Sequence, residues 1–265
     1  MDRENRNEGF WEEIRRNREF MKCARLGTGP QSDQEKKLPQ PPLGNTPGGT
    51  LRELSADFSG ESSRVPYARL LDERRSERGF DENARMTQSQ LAFLLWSVQG
   101  VQDIRGDNYA TLRPVPSAGA RHPFELYVAV RAVEGLEPGI YHYLPLAHVG
   151  EKRVSVEFVK PLDGYEDRVT EMLAGQKWAA AAQAVLFFSC AAYRGEWRYD
   201  IMAHRVMLID LGHVGQNLML SAVALGLGSC CMAAYDQASC DRTLGLDGDE
   251  EYTVYACAVG GLKKG

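Results

Sequence analysis

The chain has 265 residues, of which 43% are hydrophobic and 25% are charged. These proportions fit a soluble globular protein with one substantial core and exclude a fibre, a collagen or a repeat protein. The formal net charge of -5 excludes a broadly basic surface, so we predict a small-molecule partner and no nucleic-acid partner.

Targeting signals are also missing from the sequence. No stretch approaches the ~18 consecutive apolar residues that a membrane span needs. The segment from Met1 to Arg18 is charged and lacks the apolar centre of a signal peptide. We therefore predict a cytoplasmic protein with no membrane partner.

The first 59 residues differ in composition from the rest of the chain. One short amphipathic helix is indicated by four apolar residues spaced among charged ones: Phe10, Trp11, Ile14 and Phe20. Residues 27–60 are rich in proline, glycine and polar residues and lack the apolar content of a core. We predict an amino-terminal arm over residues 1–59 and one domain over residues 60–265.

Periodic signals begin after this arm. Thr87 and Gln90 have the spacing of a capping box, and leucines at helical spacing follow until Gly100, which predicts a helix. A longer apolar stripe predicts a second helix over residues 201–225. Apolar runs predict five strands, over residues 124–131, 139–144, 154–159, 184–190 and 252–259. The hairpin-like spacing between the first three favours an α+β fold, with a mainly antiparallel central sheet flanked by helices.

A cluster of arginines stands between the arm and the first predicted helix. Its sequence is Arg74-Arg75-Ser76-Glu77-Arg78. Three guanidinium groups and a hydroxyl could converge on one phosphate, because arginine offers paired, charge-assisted hydrogen bonds and keeps its charge. The alternative is an exposed turn that neighbouring acidic residues neutralise.

Two stretches of small residues would let backbone groups approach a flat ligand closely. One runs from Pro114 to Ala120, directly before the first predicted strand. The other runs from Gly226 to Asp236, after the long predicted helix. Each is equally compatible with a tight loop packed on the core.

The cysteines and histidines give little support for redox or metal chemistry. We interpret adjacent Cys230 and Cys231 as small core residues, because neighbouring cysteines rarely form a relaxed disulfide. His213, inside the apolar helix, is interpreted as a packing residue. The histidines lack the spacing of metal ligands, so we predict no metal site. The sequence also lacks a nucleophile-elbow motif and a dinucleotide-binding motif, which disfavours a triad hydrolase and a Rossmann nicotinamide site.

Three motifs occur in an order that is typical of one enzyme family. Arg74-Arg75-Ser76-Glu77-Arg78-Gly79-Phe80 is similar to R-R-S-x-R-x-F, Pro116-Ser117-Ala118-Gly119-Ala120 to P-S-A-G-A, and Gly212-His213-Val214-Gly215-Gln216-Asn217 to G-H-I-G-Q-N. Over about residues 60–261 the chain therefore resembles the nitroreductase family, specifically its SagB-type dehydrogenase branch.

The resemblance implies a nitroreductase-like α+β fold with FMN bound at the interface of a homodimer. The FMN phosphate and ribityl end would be held by Arg74, Arg75, Ser76 and Arg78. The partner chain would bring to the flavin Pro116, Ser117, Ala118 and Gly119. The remaining contacts implied by position are Gln176 at the pyrimidine edge and, along the isoalloxazine, Cys231, Met232, Ala233 and Ala234. The Ala233 N–H would lie near flavin N5.

The sequence departs from the family pattern at two places. Azoline-forming members carry a Lys-Tyr pair before the long helix that is thought to move protons, whereas this chain has Arg198-Tyr199. Arg198 can bind a carboxylate or carbonyl but is a poor general base, because arginine does not release its proton at working pH. The chain also stops soon after its last predicted strand, where Lys263 or Lys264 is expected to supply one phosphate contact.

The working hypothesis is an FMN-dependent oxidoreductase with ping-pong kinetics. NAD(P)H donates hydride to flavin N5, and a small organic acceptor is then reduced on the same face. Tyr199 and Arg205 are the candidate residues for polarising the substrate. One alternative is a SagB-type dehydrogenase that oxidises a peptide azoline or another small substrate, with Arg198 against it. The other is a flavin-binding protein without turnover, whose FMN would not be bleached by NAD(P)H.

Overall fold

The structure is a computed structural model that describes residues 8–22, 31–55, 58 and 64–263. The helices are α1 (Glu8–Met21), α2 (Tyr67–Glu73), α3 (Gln88–Gln99), α4 (Tyr165–Met172), α5 (Lys177–Ala180), α6 (Tyr193–Tyr199), α7 (Ala203–Ala224) and α8 (Gln237–Leu244). The strands are β1 (Leu51–Glu53), β2 (Asp103–Arg105), β3 (Ala110–Leu112), β4 (Phe124–Val130), β5 (Gly139–Tyr143), β6 (Ser155–Pro161), β7 (Ala184–Ala191), β8 (Gly228–Met232) and β9 (Glu251–Gly260).

Seven strands form one sheet in the order β1-β6-β5-β4-β7-β9-β8. Every neighbouring pair in it is antiparallel. β2 and β3 form a separate antiparallel hairpin. The prediction of an α+β fold with a mainly antiparallel central sheet is confirmed.

Helices cover both faces of the sheet, because its central strands alternate between two apolar cores. On β4, Leu126 and Val128 face the core that is shared with α3 and α7. Tyr127 and Ala129 face the opposite core, which α4, α5 and α8 complete. Burial on both faces explains why β4 and β7 are almost continuously apolar in sequence.

The predicted helix ends are observed for the two longest core helices. The Thr87 side chain accepts from the Gln90 N–H, and the Gln90 side chain accepts from the Thr87 N–H, so α3 begins with a complete capping box. After α7, Gly226 adopts a positive φ of 69°, and the Leu227 N–H donates to the Ala222 carbonyl at 2.9 Å. This is a Schellman termination, which needs glycine at the left-handed position.

One stretch differs from its expected structure. The small-residue stretch after Gly226 was expected to be a loop, but Gly228–Met232 forms the edge strand β8. All its residues except Met232 are small and none is β-branched, so composition does not indicate a strand. Pairing with the long, buried β9 provides the strand geometry instead.

The helical stretch Tyr193–Ala224 is long and apolar enough, by length and composition alone, to cross a membrane. In the structure Leu211, Val214 and Leu218 of this stretch pack in the core against the sheet. The core helix of a soluble protein passes the same test of length and composition.

Residues 31–55 wrap around α6 and the end of the central sheet. The Gln34 N–H donates to the Trp197 carbonyl at 2.8 Å, and the Trp197 indole N–H donates to the Leu38 carbonyl at 3.1 Å. Asn45 reaches a buried ion pair between Glu125 and Arg194, accepting from Arg194 at 2.6 Å. The division at residue 60 stays a prediction.

Candidate functional site

The arginine cluster runs along the outer edge of β8. Ser76 forms a parallel bridge with Ser229, and the Glu77 N–H donates to the Ser229 carbonyl at 2.9 Å. The chain end is tied to the same segment, because the Lys263 N–H donates to the Gly79 carbonyl at 3.0 Å. An otherwise open sheet edge is thereby covered by a segment that carries three arginines.

The neighbouring carboxylates do not neutralise these arginines. Within the described part of the chain, none of the guanidinium groups of Arg74, Arg75 and Arg78 has a carboxylate oxygen within 4.0 Å. Glu73 pairs with Arg69 at 2.7 Å instead. Charged groups of one sign that lack partners attract anions, so this edge can bind a phosphate.

A buried hydroxyl without a partner lies beside the cluster. Ser229 is 2% exposed, and its Oγ has no hydrogen-bond partner among the described residues. Burial raises the pKa of the next thiol, Cys230, and the positive charge of Arg78 opposes that rise, which places Arg78 close to β8. The Arg78 guanidinium also lies 5.4 Å from the centroid of the Trp178 ring.

The segment that follows β8 is more exposed than the strand itself. Met232 is buried, whereas Ala233 and Ala234 are exposed. Gln176 Nε2 donates to the Ala234 carbonyl at 2.7 Å, so the predicted amide contact lies against the predicted ring-binding segment.

Cys231 has a neighbour that the sequence did not indicate. Its sulfur lies 3.1 Å from that of Cys257, directly opposite on β9. The hydrogen bond with Cys257 lowers the pKa of Cys231, and burial raises the pKa of Cys257. The Cys231 side chain therefore lies beside that of Cys257 on the face of the sheet that packs against α7.

The P-S-A-G-A loop is held by the long helix α7. Asp210 accepts from the Ser117 hydroxyl at 2.7 Å and from the Ala118 N–H at 2.8 Å. The Ser117 Oγ also accepts from the His122 N–H at 3.0 Å, which closes the loop on itself. Pro116 at its start is exposed. Because these bonds fix both ends of the loop, its backbone presents a defined surface.

Arg198 and Tyr199 lie against the middle of this loop. Gly119 has a φ of 57°, and a Cβ there would lie 2.5 Å from the Arg198 Nε and 2.7 Å from the Tyr199 hydroxyl. The Arg198 Nη1 donates to the Tyr109 hydroxyl. The two residues that replace the Lys-Tyr pair therefore touch the predicted flavin loop directly.

The predicted site residues thus form two groups in one chain. The first, at the β8 edge, contains Arg74, Arg75, Ser76, Arg78, Gln176, Cys231, Met232, Ala233, Ala234 and Lys263. The second, between α6 and α7, contains Pro116, Ser117, Ala118, Gly119 and Tyr199. None of the described hydrogen bonds, ion pairs or ring contacts joins the two groups. Arg205 belongs to neither, since its Nε donates to the Met21 carbonyl at the end of α1.

Sequence reasoning missed several residues of these groups. Asp210 carried a detectable signal, because a carboxylate inside an apolar helix is costly unless it is hydrogen-bonded. Trp178 stands two positions after Gln176 and stacks near Arg78. Tyr109 and Arg121 gave no local signal, because their contacts depend on distant segments.

The sequence model of the nitroreductase family matches residues 71–261 of the chain. The chain is 34% identical over 169 residues to MJ1384 of Methanocaldococcus jannaschii, a protein assigned as a nitroreductase. That match covers 63% of this chain and 77% of MJ1384.

Two peptide-processing proteins are also similar to the chain. It is 31% identical over 157 residues to the trifolitoxin-processing protein TfxB of Rhizobium leguminosarum bv. trifolii, a match that covers 56% of this chain and 39% of TfxB. It is 27% identical over 140 residues to the microcin B17-processing protein McbC of Escherichia coli, covering 51% and 49%. The chain thus matches less than half the length of each. These similarities support the resemblance to the SagB-type branch.

Solved structures with the same fold are more distant in sequence. A structure from Ralstonia eutropha, assigned as a nitroreductase, has a TM-score of 0.63 at 21% identity and covers 86% of this chain and 96% of its own. A chain of the E. coli microcin synthetase McbBCD complex with truncated pro-MccB17 bound has a TM-score of 0.61 at 20% identity, covering 97% and 93%. At these identities the likeness shows the fold alone.

Proposed function

We propose that this chain, which belongs to the nitroreductase family, is an FMN-dependent oxidoreductase that uses NAD(P)H to reduce a small organic acceptor. Bound FMN would supply the hydride chemistry, taking hydride at N5 from one substrate and passing it to the next in a ping-pong sequence. The observation that carries the proposal is the group of guanidinium side chains without described carboxylate partners at the β8 edge.

The β8 edge fits the phosphate end of this cofactor. Arg74, Arg75 and Arg78 would neutralise the phosphate, and Ser76 would donate its hydroxyl. The unpartnered Ser229 hydroxyl supports the assignment, since a buried polar atom without a partner is costly unless a ligand binds it. Lys263, tied to Gly79 through its backbone, would add a further positive charge.

The segment after β8 would hold the flavin ring. Exposed Ala233 and Ala234 lack bulk, so a planar ring could approach their backbone groups closely. The Ala233 N–H would donate near N5, and a fixed donor of this kind stabilises negative charge that develops on reduction. Gln176, hydrogen-bonded to the Ala234 carbonyl, would keep this segment in position.

The second group of predicted residues would come from the partner in a homodimer. Ser117, Ala118 and Gly119 belong to a loop that Asp210 fixes to α7, away from the chain's own arginine cluster. A second copy could bring its loop to the first copy's β8 edge, so that both chains line each site. Tyr199, which touches Gly119, would then lie near the substrate. Arg205, bound to the Met21 carbonyl, is the weaker candidate for polarising it.

A spectroscopic titration tests the cofactor. Purified protein is mixed with FMN, its visible absorbance is recorded, and NADH or NADPH is added without oxygen. We expect FMN to bind and then to be bleached. Arg74→Ala and Arg78→Ala should each weaken FMN binding about tenfold or more, because a charge-assisted hydrogen bond contributes about 1.5–3 kcal/mol.

Arg85→Ala is the matched control, since Arg85 is exposed and lies outside the cluster. Protein that stays colourless with FMN, or equal losses in all three variants, would contradict the proposal. Bound FMN that neither nicotinamide bleaches would instead favour a flavin-binding protein without turnover.

Similarity to TfxB and McbC favours a second candidate, oxidation of a peptide azoline or another small substrate. Arg198 argues against it, because the position that would need to exchange a proton carries a group that keeps its proton. Single-turnover oxidation of a synthetic azoline peptide by FMN-loaded protein separates the two candidates: product in the absence of NAD(P)H would favour the dehydrogenase.

A further inference from the structure

We propose that Arg198 and its neighbours form a carboxylate-binding site, which selects an acceptor substrate that carries a carboxylate group. The site is formed by Arg121, Arg198, Tyr109 and Tyr199, which contact one another beside the P-S-A-G-A loop; we name these four residues the Arg198 cluster. The inference deepens the proposed function, on which it rests for the identity of the ligand as an acceptor.

Arg198 has hydrogen-bonding capacity that the described residues do not use. Its Nη1 donates to the Tyr109 hydroxyl, and its guanidinium carbon lies 5.6 Å from the centroid of the Tyr199 ring. In the described part of the chain it has no carboxylate partner within 4.0 Å. A guanidinium carries five N–H donors, so a fork remains that matches the two oxygens of a carboxylate.

Arg121 supplies a second, independent observation. Its side chain is 2% exposed, its Nε donates to the Arg194 carbonyl at 3.2 Å and its Nη1 to the Tyr109 carbonyl at 2.8 Å. Its Nη2 is buried and has no partner among the described residues. An unpaired donor of a buried charged group is costly, and a bound oxyanion would satisfy it.

The charges around the cluster favour an anion. Burial lowers the pKa of Arg121; Tyr109 opposes that change, whereas the nearby positive charges of Arg198 and Arg194 add to it. Arg194 is neutralised by Glu125 at 2.6 Å, but Arg121 and Arg198 have no such partner among the described residues. The other carboxylate at the loop, Asp210, is engaged with Ser117 and Ala118. Among the described residues the two guanidinium groups therefore lack a counter-charge, although the Arg121 guanidinium lies 5.0 Å from the centroid of the Trp197 ring, and a bound anion would supply that charge.

The location links this charge to the proposed reaction. The Gly119 backbone, part of the predicted flavin loop, touches both Arg198 and Tyr199. Tyr109 and Tyr199 are half-buried, so their rings are partly accessible to a planar substrate. A ligand that lies on this loop would meet the Arg198 guanidinium, whose remaining donors would fix the orientation of its carboxylate.

Binding of a carboxylate probe tests the inference without turnover. The protein as purified, loaded with FMN, is titrated calorimetrically with benzoate and with benzamide, its uncharged analogue. We expect benzoate to bind about tenfold or more tightly than benzamide, as a charge-assisted pair predicts. Arg198→Gln should reduce that difference to about twofold or less, while benzamide affinity stays unchanged.

Two further variants keep the result interpretable. Arg198→Lys retains the charge without the fork and should fall between wild type and Arg198→Gln, and it also serves if the glutamine variant does not fold. Arg168→Gln, at an exposed arginine of α4, should keep the wild-type preference. Equal affinities of the wild type for the two probes, or an undiminished preference in Arg198→Gln, would overturn the inference.

Turnover distinguishes this inference from the proposed function. Wild type should show a higher kcat/KM for 4-nitrobenzoate than for 4-nitrobenzamide, and Arg198→Gln should lose that preference. If neither is reduced, the proposed function fails, while benzoate binding still decides the carboxylate site. If Arg198→Gln loses only a preference for NADPH over NADH, the anion is the phosphate on the adenosine ribose of NADPH and the inference is wrong.

Discussion

Asp210 on α7 holds Ser117 of the P-S-A-G-A loop, accepting from its hydroxyl at 2.7 Å, although the two residues are 93 positions apart. The same carboxylate accepts from the Ala118 N–H at 2.8 Å. Burial raises the pKa of Asp210, and the two donors oppose that rise. The loop therefore donates the hydrogen bonds that stabilise this partly buried carboxylate, and the carboxylate in turn positions the loop.

We expect Asp210→Ala to lower the free energy of unfolding by about 1–3 kcal/mol, because the Ala118 N–H loses its acceptor. Asp210→Asn keeps a carbonyl oxygen for that N–H and should cost less than about 1 kcal/mol. Urea denaturation monitored by tryptophan fluorescence measures both. Equal losses in the two variants would mean that the hydrogen bonds do not stabilise the loop.

His122 should make the protein sensitive to mild acid. Burial and the positive charge of Arg113 lower the pKa of His122 from 6.5 to about 2. Because the folded-state pKa is lowered, His122 binds a proton below pH 6.5 in the unfolded chain but stays unprotonated in the folded chain. Stability should fall by up to about 1.4 kcal/mol for each pH unit below 6.5, or about 2 kcal/mol at pH 5.

This contribution is measured by comparing the unfolding free energies of wild type and His122→Gln between pH 7.5 and pH 5. The substitution is conservative, because the glutamine side chain can still donate to the Thr111 carbonyl. The variant should show a much flatter dependence on pH. His213 lies exposed on α7, so its interpretation as a packing residue was wrong, and His213→Gln should retain the wild-type slope. A slope unchanged by His122→Gln would show that another group causes the acid sensitivity.

The elements that could be predicted from the sequence are those whose local pattern and tertiary environment agree. The helix that begins after Thr87 has both a capping box and an apolar stripe, and the strand at Phe124 is buried on both faces. β8 could not be predicted, because its small residues carry no strand pattern and its geometry comes from β9. α2 was missed as well, since none of its side chains is buried.

The candidate site also has parts that could be predicted from the sequence and parts that could not. The order of the Arg74 and Ser117 motifs is visible in the sequence, because each lies within a few consecutive residues. The Arg198 cluster is not visible, because Arg198 meets Tyr109 across 89 positions. Partners that lie far apart in sequence leave no local pattern, so the carboxylate site emerges only when the chain is folded.

Gly119→Ala should perturb the Arg198 cluster through sterics alone. Gly119 has a φ of 57°, and the added methyl group would overlap Arg198 and Tyr199. We expect a loss of about 1–3 kcal/mol in the free energy of unfolding from the left-handed backbone, and weaker benzoate binding because the arginine is displaced.

Gly164→Ala is the matched control for that change. Gly164 has a φ of 64°, but no heavy atom lies within 4 Å of the position of its Cβ. It should lose stability to a similar extent and keep the wild-type affinity for benzoate in calorimetric titrations. Unchanged benzoate binding in Gly119→Ala would contradict the placement of the site beside this loop.

Glu125 joins the amino-terminal arm to the central sheet through a buried charge network. Its carboxylate forms an ion pair with the Arg194 guanidinium at 2.6 Å and accepts from the Asn45 N–H at 2.8 Å and from His142 at 2.9 Å. Burial alone would raise the pKa of Glu125, but the charge of Arg194 and the hydrogen bonds outweigh it and lower the pKa to about 2.

Glu125→Gln should lower the free energy of unfolding by about 3–5 kcal/mol at pH 7, because it leaves Arg194 buried without a counter-charge. Since the folded-state pKa of Glu125 is lowered, its stabilising contribution is present above pH 4.5 and is lost as the pH falls toward 2, an expected decline of about 3 kcal/mol. Urea titrations at pH 7, 4.5 and 3 should therefore show the unfolding free energies of wild type and variant converging.

Glu53→Gln is the control, since it removes an exposed partner of Arg153 and should cost less than about 1 kcal/mol at pH 7. A gap between wild type and Glu125→Gln that stays constant down to pH 3 would mean that the lost contribution is packing, because loss of the Glu125 charge would make the gap itself depend on pH.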